Sequence, residues 1–199
     1  MRFFFTYILF FGIISLFKNQ PIGIALMNDT QKATNSVKQQ KMLAIAIQIA
    51  AMAHVNQLDQ GKNAYILHPL RVMNNLVFKD PELQQIAILH DVVEDCPEWT
   101  IQKLRELGFS ERVLTALSLM TKNQADSDAG EEGYFNYIRR MFCCLDAMLV
   151  KISDLKDNSD LTRMKGTRQK DLERTFKYMQ AFAMLRDEIR DKYPEISVV

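Results

Sequence analysis

Glycine and proline are scarce in this chain, 7 and 5 in 199 residues. That is too few turn formers for an all-β sandwich of many short strands, so helices are favoured. Cysteine is scarcer still: Cys96 and the adjacent pair Cys143 and Cys144. An odd count with two neighbours is not a disulfide framework and points to a reducing compartment. There is no arginine-rich run, and 25 basic residues face 24 acidic ones for a net charge of +1. The chain therefore lacks the electrostatic footprint of a duplex binder, and nucleic acid is not an expected partner. It has no internal repeat, no glycine-rich phosphate cradle and no Cys-x-x-Cys. What is present is globular: hydrophobic residues make up 48% and charged residues 25%, at a length that suits one domain with a short appendage.

One long hydrophobic run occurs, residues 3–17 (FFFTYILFFGIISLF), between Arg2 and Lys18. Residues 1–26 read in two ways. They have the charged start and apolar middle of a signal or anchor segment, with Gly23 and Ala25 as candidate small residues before cleavage. Alternatively they are a mis-assigned extension, because Met27 opens an ordinary polar start (MNDTQKATNS). The cysteine usage favours the extension and a cytoplasmic protein; a genuine leader would mean export or a membrane contact. Residues 27–199 are expected to hold the folded domain, with its core over about 37–190.

Periodicity in that domain is helical throughout, which predicts an all-α single bundle. A first helix is expected over 37–55, with Val37, Leu43, Ile47, Ala50 and Ala51 on its apolar face. His68 is expected as the N-cap of a helix running from Pro69 to about Phe78. Asp80 should cap the next helix, which Pro97 ends. Short helices follow over 100–107 and 110–120, then an apolar-poor stretch (123–133) expected to be a surface loop. Further helices are expected over 134–144, 145–158 and 169–192, the last with Leu172, Phe176, Met179 and Leu185 inward.

The helix around His90 carries the most chemistry. His90 stacks on Glu94 and Asp91 on Asp95 at helical spacing, so one face holds an imidazole and three carboxylates. Its flanks (Ile86 to Leu89, Val92, Val93) are apolar, which indicates burial. Buried carboxylates with no Lys or Arg within a turn are costly, and a bound cation would offset that cost. The plainer alternative is a helix end whose acids face solvent. A second face aligns Lys151, Asp154 and Asn158: a phosphate-binding cation, a hard-cation ligand and a polar contact. His68 adds an imidazole at a helix start, while His54 reads as a tether.

His68, His90-Asp91 and Asp154 match the H…HD…D pattern of HD-domain metal-dependent phosphohydrolases. The segments AHVNQ (53–57), YILHPLRV (65–72), AILHDVVED (87–95), MTK (120–122) and VKISDLKDN (150–158) occur in order. Together they resemble the hydrolase domain of RelA/SpoT-type alarmone enzymes and their small stand-alone relatives. The resemblance implies an all-helical domain holding one divalent ion, usually Mn2+, through His68, His90, Asp91 and Asp154. It implies that Glu94 and Asp95 serve the attacking water held at the metal. Lys151 and Asn158 match positions that contact substrate, and Tyr65 one that lines the nucleoside pocket. The implied reaction removes pyrophosphate from the 3′ position of guanosine tetra- or pentaphosphate.

The sequence also departs from that pattern. Asp59 and Gln60 stand where a basic pair usually faces substrate phosphates, Ala64 replaces a Pro, Cys96 a Thr, and Leu155 a basic residue. Two alternatives follow: an HD phosphohydrolase or phosphodiesterase for another nucleotide or phosphorylated metabolite, or a non-catalytic nucleotide-sensing module.

Overall fold

The computed structural model describes residues 22–163 and 166–198; residues 1–21, on which most of the leader reading falls, lie outside them. In order, the helices are α1 (Ile22–Ala53), α2 (Leu67–Asn74), α3 (Pro81–Asp95), α4 (Ile101–Glu106) and α5 (Glu111–Met120). They continue with α6 (Gln124–Asp128), α7 (Gly130–Arg140), α8 (Leu145–Ser159) and α9 (Gln169–Lys192). Among the described residues β-structure is limited to one bridge between Leu58 and Ala64. Residues 41–198 belong to one compact unit, and residues 22–40, the early turns of α1, to another. The 26/27 boundary drawn from the sequence thus falls inside α1. No described helix is long and apolar enough to cross a membrane.

Within the compact unit α8 is the central element, packed against α2, α3, α5 and α9, while α3 packs against α2, α5 and α8. The sequence explains why. Ile86, Ala87, Ile88, Leu89 and Val92 of α3, and Ala147 to Leu155 of α8, are buried almost all round. A helix buried on every side sits in the middle of the bundle, α3 by its apolar flanks and α8 with its polar stripe turned to the His–Asp cluster. Asp80 starts α3 as expected, its carboxylate accepting the Leu83 N–H at 2.9 Å, with Pro81 at the first helical position. Thr100 and Ser110 cap α4 and α5 in the same way. Arg112 of α5 binds both oxygens of Asp146 at 2.7 and 2.8 Å and reaches Asp80 at 3.1 Å, joining the starts of α3 and α8.

Four expectations are corrected. His68 is not an N-cap: Ile66 holds that place, and His68 lies in the first turn of α2. That helix ends at Asn74 rather than near Phe78, because Lys79 Nζ takes the Asn74 carbonyl at 2.6 Å. The 123–133 stretch is not a loop throughout. Asn123 and Asp126 form a reciprocal capping box that supports α6 without any apolar stripe. Gly133 then lets α7 approach closely, since a Cβ there would meet the Asp126 carbonyl oxygen at 2.2 Å. The apolar faces of two helices are also displaced. In α1 the buried set is Met42, Ala46, Ile49 and Ala50, leaving Val37 and Ala51 exposed. In α9 Leu185 is buried with Ala181 and Ile189, whereas Leu172, Phe176 and Met179 are exposed.

The α9 correction is testable. Leu185→Ala is expected to cost about 2–5 kcal/mol, and Leu172→Ala within about 0.5 kcal/mol of nothing. Urea denaturation of both variants reads the difference, and equal losses would contradict the packing of α9.

Candidate metal centre and its cleft

Helices α2, α3 and α8 bring His68, His90, Asp91 and Asp154 together. His68 Nε2 lies 3.1 Å from Asp154 Oδ1 and 3.3 Å from Asp91 Oδ2. His90 Nε2 lies 3.3 Å from Asp91 Oδ1 and 3.6 Å from Asp154 Oδ1. Ligand atoms of His68, His90 and Asp91 all fall within 4.8 Å of one another. The sequence places Pro69 just after His68, where a missing N–H costs nothing, so the turn can present the imidazole inward.

The outer partners of the two rings fix their orientation. His90 Nδ1 is 2.8 Å from the Ala87 carbonyl. A carbonyl only accepts, so Nδ1 carries a proton and Nε2 is the nitrogen that faces the cluster. His90 Nε2 is buried and has no hydrogen-bond partner. His68 Nδ1 is 2.7 Å from Asp157 Oδ2, and Arg71 clamps that carboxylate through Nε at 2.7 Å and Nη2 at 3.2 Å. Such carboxylate–histidine pairs are the usual outer support of a metal ligand. Asp157 and Arg71 had no assigned role from sequence. Their signal is spacing: each follows a cluster residue on its own helix by three positions.

The charges favour a cation. Burial works against protonation of either ring, yet the carboxylates outweigh it. His68 is pushed up to about 11 by hydrogen bonds to Asp154, Asp157 and Asp91. His90 is raised by Asp91 and Asp154. Burial would raise Asp154, but Lys151 and the two imidazoles hold it well below the ordinary carboxylate range. Two imidazole nitrogens and two carboxylates, one of the nitrogens orphaned, make a donor set that fits a divalent ion.

Around this cluster lie the other residues singled out from sequence. Lys151 Nζ donates to Asp154 Oδ2 at 2.7 Å, and Asn158 Nδ2 to Oδ1 at 2.5 Å. The stripe on α8 therefore steadies Asp154. The Tyr65 hydroxyl donates to Asp91 Oδ2 at 2.8 Å, and burial beside that carboxylate keeps the phenol protonated. Glu94 pairs with Lys122 at 2.7 Å, a cation from 28 residues away that local spacing could not reveal. Asp95 lies at the exposed end of α3, raised by partial burial and by Asp91 and Glu94. His54 is the expected tether, holding Gln57 at 2.9 Å and contacting the Tyr65 ring.

Two cavities meet at Tyr65 and Asn158. One, of about 220 Å³, is lined by Asp91, Glu94, Asp95, Lys122, Lys151 and Asp154 among others. The second, of about 190 Å³, is lined by Leu58 to Gly61, His68, Asp160 and Arg174. Asp59 and Gln60 thus do reach the cleft, as the departures from the family pattern anticipated.

A matching fold has been solved for a metazoan ortholog of SpoT that hydrolyses ppGpp; it aligns with a TM-score of 0.61 and 22% identity. The alignment covers 76% of this chain and 95% of that one. The two proteins share one fold. In sequence the chain is 30% identical over 115 residues to a guanosine-3′,5′-bis(diphosphate) 3′-pyrophosphohydrolase of Haemophilus influenzae. That match takes in 55% of this chain but only 17% of the relative. No family model matches the chain. The chain resembles the RelA/SpoT-type hydrolase domain in sequence and has its all-α HD-type fold.

Two expectations follow for metal binding. Asp157→Asn, which removes the charge behind His68, should keep the fold and weaken divalent-ion affinity about 10–100-fold. His90→Ala should abolish most binding. Calorimetric titration of the metal-free protein with Mn2+ measures both; wild-type affinity in His90→Ala would dismantle the proposed donor set, and in Asp157→Asn the support given to His68.

Proposed function

We propose that the chain is a metal-dependent phosphohydrolase that removes pyrophosphate from the 3′ position of guanosine 3′,5′-bis(diphosphate). The observation that carries this reading is the convergence of His68, His90, Asp91 and Asp154 at the floor of a cleft whose wall holds Glu94, Asp95 and Lys122. The activity named for the bacterial relative and for the solved metazoan protein agrees with it. The ion, which we infer to be Mn2+, supplies Lewis acidity to a phosphate oxygen and to water.

The chain's own residues divide the remaining work. Glu94 and Asp95, one turn beyond His90 and Asp91, are the bases that orient the attacking water and take its proton. Partial burial and the neighbouring carboxylates raise the basicity of Asp95, which suits it to that task. Lys122, tied to Glu94, and Lys151, tied to Asp154, place positive charge beside the departing pyrophosphate. Tyr65 and Asn158 stand where the two cavities join, so both face a nucleotide lying across the cluster. We infer a cytoplasmic location from the guanine nucleotide substrate and from the free cysteines, of which Cys96 is buried at the end of α3. The lack of a basic side chain at 59 and 60 in the cleft favours a second reading, an HD phosphohydrolase or phosphodiesterase acting on another nucleotide or phosphorylated metabolite.

Turnover of a nucleotide panel with added Mn2+ tests the reading: guanosine 3′,5′-bis(diphosphate) should yield guanosine 5′-diphosphate and pyrophosphate. Hydrolysis of another nucleotide alone would transfer the assignment to the second reading, and no turnover at all would leave a sensor. Glu94→Gln should keep metal and nucleotide binding while losing about 10²–10⁴-fold in kcat. Near-normal kcat in that variant would leave Glu94 only its structural pairing with Lys122.

A further inference from the structure

The second cavity shares His68, Tyr65 and Asn158 with the cluster and adds one arginine among its described lining residues. Arg174 comes from α9, 114 residues beyond Gln60, and its Nη2 donates to Gln60 Oε1 at 2.9 Å. Its side chain is 26% exposed, and Asp171 Oδ1 lies 3.6 Å behind Nη2. Among the described residues Gln60 provides its hydrogen-bond acceptor, while a guanidinium has five N–H donors in a fixed fork. Gln60 and Asp171 therefore hold the fork at the cavity wall with donors to spare.

The geometry of the 57–65 loop changes what Asp59 means. Its Oδ1 accepts the Asn63 N–H at 2.8 Å and the Asn63 amide at 3.4 Å. The Asp59 N–H in turn donates to the Asn63 carbonyl at 2.8 Å. The carboxylate is thus turned into its own loop, which it closes. Lys62, the only nearby lysine in the loop sequence, sits in the left-handed region at φ 68° and is not among the lining residues. The two positions that lack the basic pair accordingly serve as a loop brace and as a dock for an arginine from another helix.

We propose that Arg174 grips the 5′-phosphates of the nucleotide whose 3′ end lies at the His–Asp cluster, taking the place of a basic pair at 59 and 60. The assignment rests on the nucleotide-hydrolase reading above. A substrate with diphosphates on both sides of its ribose needs a cation on each side of the cluster. Lys122 and Lys151 occupy one side and Arg174 the other. The planar fork matches phosphate oxygens in pairs, which makes Arg174 a determinant of specificity rather than of the chemical step.

Calorimetric binding of guanosine 5′-diphosphate and of guanosine to the full chain separates phosphate recognition from a general role in shape. Arg174→Gln should lose about tenfold or more in guanosine 5′-diphosphate affinity and leave guanosine binding unchanged. In turnover of the bis(diphosphate), the same change should raise KM with kcat retained. If Arg174→Gln does not fold, Arg174→Lys serves: it keeps the charge without the fork and should weaken guanosine 5′-diphosphate a few-fold, again sparing guanosine. Equal losses for both ligands, no loss for the diphosphate, or a wild-type chain that does not bind it, would overturn the assignment. Failure of the wild-type chain to cleave the bis(diphosphate) would defeat the hydrolase reading instead, and the binding comparison would still decide the role of Arg174.

Discussion

Negative charge buried inside an apolar bundle is the constraint on which this structure depends. Asp154 and Asp157 are almost fully buried and Asp91 nearly so, all between helices whose other faces are leucine, isoleucine, valine and alanine. Uncompensated, such carboxylates would cost several kcal/mol each. Compensation is therefore built in at every oxygen that can be traced. Lys151 and Asn158 serve Asp154, Arg71 and His68 serve Asp157, and Tyr65 with the two imidazoles serves Asp91. The raised His68 and His90 and the lowered Asp154 express the same imbalance: the buried carboxylates favour positive charge beside them. A divalent ion held by His68, His90, Asp91 and Asp154 would supply that charge in more compact form.

How much of this was legible in the sequence depends on the range over which each signal acts. Three caps were readable because they act within four residues: Asp80 before Pro81, Thr100 and Ser110 each start a helix where expected, whereas His68 proved not to be a cap and the Asn123 capping box was not foreseen. The cluster residues were readable because His90-Asp91 and Lys151/Asp154/Asn158 keep helical spacing on helices whose burial is plain from composition. The Glu94–Lys122 and Arg174–Gln60 contacts were not, since 28 and 114 residues separate the partners. The faces of α1 and α9 failed for another reason. Both helices carry apolar residues on more than one side, so periodicity admits several stripes, and only packing against α8 picks Leu185 over Leu172 and Phe176.

The departures at 59, 60 and 96 show why substituted positions are poor guides to lost function when read singly. Asp59 looked like a charge opposing phosphate, yet its carboxylate braces Asn63 within the loop. Gln60 looked like a loss, yet it holds an arginine. Cys96 keeps a polar contact, its sulfur lying 3.9 Å from Gln57 Nε2 and 3.7 Å from the Ala53 carbonyl. In each case the local role is set by a neighbour that a one-dimensional comparison does not see.

The outer partners explain how the centre is made stiff. Arg71 follows His68 by three residues on α2, and Asp157 follows Asp154 by three on α8. Helices α2 and α8 are thereby joined at two successive levels, once where His68 meets Asp154 and once where Arg71 clamps Asp157. Placing the ligands and packing the helices become a single event, which is the condition for holding donor atoms within a fraction of an ångström. By contrast, Glu94, Asp95 and Lys122 stand at the cleft surface, where substitution disturbs no buried charge pair, while Arg174 reaches the cleft from beside the buried Asp171. The bundle thus separates a buried half, the His–Asp cluster with its outer partners, from an exposed half that lines the cleft. On the proposed reading, phosphate recognition moves from a loop to a distant helix, as at Gln60 and Arg174, while the His–Asp cluster beneath stays as it is.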